Sequence, residues 1–160
     1  MAQLLQIAAI AAATFGTGAA TLSVMNEDIP DLPIPEGAWE MTGALDGMTF
    51  DIVGRDIDSG SELEDEIIFR DGTFQSVDCQ KYCDFGWTDY KTKVVDDVLH
   101  FTVTTVCPDA PHTVVWYGTV ENGQMDLDVT WTTRRWYWTH QIAIEGGGTV
   151  MEDASSAVSG

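Results

Sequence analysis

Three cysteines and one histidine carry the most specific chemistry in this chain: Cys79, Cys83, Cys107 and His112. Together they could hold a zinc ion in a four-coordinate shell. The spacings C-x3-C and C-x4-H lie near the common ranges without forming a standard pattern. A disulfide from Cys107 to Cys79 or Cys83 is the simpler reading and implies an oxidising compartment. It would tie two loops across one end of a domain and leave the third cysteine as a free thiol or a ligand. No metal site is expected.

The acidic run Asp56, Asp58, Glu62, Glu64, Asp65 and Glu66 invites a calcium reading. A calcium loop wants a further Asp or Asn before its glycine and a Glu at the twelfth position. Gly60 falls fifth and Ile67 twelfth, so the run reads as a solvated hairpin. His100 lies on the polar face of its strand and His112 follows a turn. His140 shares a face with Trp138 and Ile142, which directs it toward a barrel interior. No Ser, Cys or carboxylate accompanies these histidines in a catalytic pattern, so no catalytic residue and no cofactor are expected. The chain has 6 tryptophans. Aromatics on the buried face of a small barrel fill it or line a ligand pocket. The candidate pocket residues are Trp116, Trp131, Trp136, Trp138 and His140.

The elements that position these groups alternate with period two. Met125, Leu127, Val129 and Trp131 are interleaved with Asp126, Asp128 and Thr130, and similar alternation recurs at 48–53, 99–104 and 136–144. Such alternation marks strands with one buried face. Turn signals fall between the runs at Asp58-Ser59-Gly60, Asp71-Gly72, Asp96-Asp97, Pro108 to Pro111 and Asn122-Gly123. Strands are predicted at 48–57, 62–69, 73–79, 87–95, 98–106, 112–121, 124–131 and 135–145, with a further one at 38–45. Short consecutive turns imply an antiparallel meander, and a meander of this size avoids open edges by closing into a barrel. The expected fold is mostly β: a lipocalin-like barrel of about eight strands over 37–147, followed by a flexible tail at 148–160.

No charged residue precedes Glu27. Residues 1–26 are long enough for a helix crossing the hydrocarbon core, which takes about 20 mostly apolar residues. Small residues from Ala11 to Ala20 suit close helix packing. A cleaved signal peptide would want a positive start, and no Lys or Arg lies near Met1. A helix buried in a soluble fold is the third reading. An uncleaved anchor is preferred, and Pro30, Pro33 and Pro35 make 27–36 a semi-rigid linker behind it.

Certain residues resemble known families. Gly37-Ala38-Trp39 resembles the lipocalin Gly-x-Trp signature. Thr88-Asp89-Tyr90 matches a second lipocalin motif in letters, but about four strands follow it here and only two do in that family. Phe69 to Phe74, then Ser76, Cys79, Val115 to Val120 and Val129-Thr130-Trp131 resemble a group of small uncharacterised bacterial calycin-like proteins. That resemblance implies a barrel and no known activity.

With 26 acids against 7 bases, the chain has a net charge of −19, which excludes nucleic acid as a partner. The expected function is a non-enzymatic, membrane-anchored accessory subunit of a larger membrane complex. Its acidic barrel would be extracytoplasmic (periplasmic) and could dock a cationic soluble protein. The alternative is a lipocalin-like carrier of a small hydrophobic ligand. A barrel filled by side chains favours the first; an open apolar cavity favours the second.

Overall fold

The structure, a computed structural model, describes residues 30–152. The predicted anchor, residues 1–26, lies outside them. Among the described residues no helix is long and apolar enough to cross a membrane.

The strands are β1 (Thr49–Asp56), β2 (Glu62–Arg70), β3 (Thr73–Ser76), β4 (Thr88–Asp89), β5 (Lys91–Val95), β6 (Val98–Val106), β7 (His112–Glu121), β8 (Gln124–Arg135) and β9 (Trp138–Val150), with one helix, α1 (Val77–Tyr82). All pairings are antiparallel, in the order β4-β3-β2-β1-β9-β8-β7-β6-β5. The two edges, β4 and β5, are consecutive segments separated only by Tyr90. The sheet is therefore a nearly closed barrel, and the predicted strand 87–95 is two strands that pair in opposite directions. Tyr90 is fully buried at the break. Its hydroxyl donates to Asp46 and accepts the Leu45 N–H, both at 2.9 Å.

Those two bonds also explain why 38–45 is not a strand. Glu40 makes an isolated bridge to Thr92. The chain then turns at Gly43 (φ 67°), and buried Leu45 plugs that end of the barrel. Tight turns carry the positive φ that their residues tolerate at Asp71-Gly72, Asp96-Asp97 and Asn122-Gly123.

The predicted strand 73–79 stops at Ser76, whose hydroxyl accepts the Cys79 N–H at 3.1 Å and caps α1. At the other end, β9 runs three residues beyond the predicted boundary at 147. It takes in Gly148, the first residue of the predicted tail, together with Gly146 and Gly147. They are glycines because β1 and β8 approach too closely for a side chain. A Cβ on Gly148 would lie 1.7 Å from the Asp51 carbonyl oxygen, and one on Gly147 2.5 Å from that of Met125.

The interior is divided. Toward the Leu45 plug, Phe50, Phe69, Phe74, Tyr90 and Phe101 are all 0% exposed. Phe69 sits at their centre, with ring centroids 4.9 Å to Tyr90, 5.2 Å to Phe101, 5.5 Å to Phe74 and 6.2 Å to Phe50. Above them lies Trp116, 5.0 Å from Phe74. Its Nε1–H donates to Thr105 Oγ1 at 3.2 Å, which satisfies the buried polar atom. The opposite half of the barrel is not filled.

Candidate ligand cavity

Above Trp116 an open cavity of about 690 Å³ occupies the barrel interior. Small-molecule sites span roughly 300–1,000 Å³. The walls are the inward positions that alternation predicts: Ile52 on β1, Val114 on β7, Leu127 and Val129 on β8, and Ile142 and Ile144 on β9. Helix α1 borders the mouth with Cys79, Lys81 and Tyr82.

The helix is anchored at both ends. Cys83, its C-cap, is bonded to Cys107 just past β6, so one of the two predicted pairings forms. At its start, Asp65 points inward from β2. Its carboxylate accepts from Ser76 Oγ at 2.5 Å and from the N–H groups of Asp78 at 3.0 Å and Glu66 at 2.7 Å. Burial raises the Asp65 pKa above the ordinary carboxylate value, and these hydrogen bonds oppose that rise. Cys79, the free cysteine, has its thiol pushed up to about 11 by burial, with the Asp65 and Asp78 charges adding to the rise. It stays protonated at neutral pH and is a poor nucleophile.

Trp131 organises the rim. Its ring lies 5.2 Å from Tyr82, 5.3 Å from His112 and 5.7 Å from Phe85. Its Nε1–H donates to Thr133 Oγ1 at 3.3 Å, and the same oxygen is 2.9 Å from His112 Nδ1. These contacts fix the ring's edge and leave it on the cavity wall.

Of the five candidate pocket residues, Trp116 and Trp131 line the cavity. Trp136, Trp138 and His140 do not. The cause is register. Arg135 pairs with Trp138, which leaves Trp136-Tyr137 as a two-residue turn. On its β1 side, β9 is paired only from Ile144 onward. Trp138 and His140 thus keep the inward parity but stand on a hairpin that continues past the barrel wall. Trp136 is 87% exposed, and His140 is exposed as well.

Sequence reasoning missed the roles of Tyr82, His112 and Asp65 in the cavity. The usable signal was local: Ser76 three residues before Cys79, Asp78 in a first turn and Lys81 in a last turn spell a capped helix. The zinc constellation cannot form, since two of its thiols are joined. Among the described residues no group of three His, Cys, Asp or Glu could hold a metal ion. The Asp56 carboxylate accepts Ser59 Oγ at 2.8 Å and the Asp58 N–H at 2.9 Å, which lowers its pKa and stabilises the β1–β2 turn.

Comparison with protein-family models, with curated proteins and with solved structures returns no match. The calycin-like resemblance therefore stands on the residues quoted for it.

Proposed function

We propose that the protein is a carrier: it binds a small, largely apolar molecule inside the open half of its barrel. The observation that carries this reading is the cavity itself, about 690 Å³ and walled by aliphatic side chains and two tryptophans. Interior positions that merely packed a core would close this volume, because voids larger than a water are few in protein interiors. The polar atoms at the rim, from His112, Thr133 and Lys81, would orient a ligand's polar end.

The reading is non-enzymatic. Among the reactive groups at the cavity, the Cys79 thiol is protonated, the Asp65 carboxylate is occupied by Ser76 and two backbone N–H groups, Asp78 is paired with Lys81, and His112 Nδ1 is engaged by Thr133. The disulfide is in keeping with an extracytoplasmic barrel. The accessory-subunit reading rests on residues 1–26 and on the acidic charge, whereas the barrel interior favours the carrier.

The test is titration with N-phenyl-1-naphthylamine, an apolar dye that brightens on leaving water. One dye should bind per barrel. Ile144→Trp and Leu127→Phe, which fill the cavity by different routes, should each weaken binding at least about tenfold, since pocket overlap costs about 1–3 kcal/mol. Unsaturable binding, or equal binding by both folded variants, would remove the proposal.

A further inference from the structure

The β8–β9 tip has no part in the cavity and no explanation in the turn chemistry. Three other two-residue turns use Asp71-Gly72, Asp96-Asp97 and Asn122-Gly123, the residue types that tight hairpins require. The fourth uses Trp136-Tyr137, and neither residue has a positive φ. Trp136 is 87% exposed and Tyr137 54% exposed. Folding does not need a tryptophan there, and exposing one is unfavourable in water.

The neighbours give the tip its character. Arg134 and Arg135 precede it and Trp138 follows. Among the described residues the single ion pair is Lys81–Asp78, so neither arginine has a carboxylate partner. In a chain of 26 acids and 7 bases, this is a local cationic, aromatic point. Trp and Tyr concentrate where water meets lipid headgroups, and Arg near an anionic leaflet adds electrostatic attraction.

Acidic residues do share this end of the barrel, Asp56, Asp58, Asp78, Asp84 and Asp109 among them, and Asp56 lies within electrostatic range of His140 on the hairpin stem. The last backbone bond holding the hairpin to its neighbour is Arg134 N–H to the Pro111 carbonyl, at 2.9 Å. Two to three further residues at about 3.3 Å each place the tip roughly 7–10 Å beyond the rim. That is about one Debye length at physiological salt, so the repulsion from the rim carboxylates is cut to roughly a third there, while Arg134 and Arg135 meet the surface directly. Pro30 to Pro33 also reach this region, sharing a cleft with Ile57 and Ala143.

We infer that the Arg134–Trp138 tip docks on an anionic lipid surface, bringing the cavity mouth against the bilayer, where an apolar ligand would enter or leave. Docking needs no ligand, so it stands or falls separately from the carrier reading.

The chain has no tryptophan before Trp39, so tryptophan emission reports on the barrel even if the N-terminal run inserts. Full-length protein is mixed with phosphatidylcholine–phosphatidylglycerol vesicles whose acyl chains carry bromine, a contact quencher. Trp136 and Trp138 are two of the 6 tryptophans, so emission should fall by up to about one third. Trp136→Phe should remove much of that quenching. Arg134→Gln with Arg135→Gln should weaken the vesicle dependence roughly 10- to 30-fold, at about one factor of five per arginine. Emission unchanged by brominated vesicles, or quenching intact in Trp136→Phe, overturns the assignment. If the tip variants instead convert a sedimenting dimer to a monomer while vesicles leave emission unchanged, the tip docks on a second copy and the lipid assignment is wrong.

Discussion

Truncating one aromatic in each half of the barrel separates a packed interior from an open one. Phe69 is 0% exposed and touches four rings. Burial of a whole phenyl ring and the void it would leave put Phe69→Ala at about 3–5 kcal/mol, including edge-to-face pairings worth about 0.5–1.5 kcal/mol each. Small domains have only about 5–15 kcal/mol in total, and the melting temperature should fall by roughly 15 °C. Trp131→Ala removes a larger ring, yet that ring borders an existing open cavity. No new void forms, and the loss is limited to the rim contacts with Tyr82, His112 and Phe85 and the long hydrogen bond to Thr133, about 2 kcal/mol at about 0.5 kcal/mol per contact. Urea denaturation of both variants, followed by circular dichroism, gives the two values. Equal costs would mean that the rim half is packed in solution and would refute the division of the barrel. A Phe69→Ala cost below about 2 kcal/mol would refute the aromatic core.

Gly148→Ala should destabilise by about 3 kcal/mol, because its Cβ meets the Asp51 carbonyl oxygen at 1.7 Å and β1 must move away; an unchanged thermal melt would count against this strand pairing. Breaking the Cys83–Cys107 bond with Cys107→Ser opens a loop of sequence separation 24, a loss of about 3.5 kcal/mol by loop-closure entropy. Equal stability of wild type with and without reductant would show that the bond does not form. Asp65 has its folded pKa raised above the ordinary 3.8, so its contribution is present below 3.8 and is lost as pH rises through the raised value. The stability gap between Asp65→Asn and wild type should therefore move in the variant's favour as pH climbs from 3.8 to neutral; a flat gap, or one of opposite slope, would contradict the inward placement of Asp65.

How much was legible in the residues follows from the range of each signal. Alternation marks a strand by its own side chains, so β1, β6 and β7 lie within a residue or so of expectation. Asp71-Gly72 and Asn122-Gly123 located their turns because positive φ is a local demand. Residues 132–134, between the predicted strands 124–131 and 135–145, carry no such demand, and the turn lies at Trp136-Tyr137 instead. That shift carried Trp138 and His140 past the wall. The barrel is expected to stop within the glycines of 146–148 because the cause of their smallness, the carbonyls of Asp51 and Met125, lies on other strands. The cavity itself was beyond pattern reasoning. Whether inward tryptophans fill a barrel or line it depends on the three-dimensional sum of volumes, and Phe69 with the four rings around it takes one half while Trp116 closes it off.

The most direct test of the carrier account is methyl NMR of the full chain during addition of N-phenyl-1-naphthylamine. The account predicts saturable shifts at Leu127, Val129, Ile142 and Ile144, which line the open half, and none at Leu45 or Ile67, which are buried in the filled half. Shifts at Leu45 and Ile67, or shifts spread over exposed methyls such as Val94 and Val106 with the cavity methyls unmoved, would contradict it.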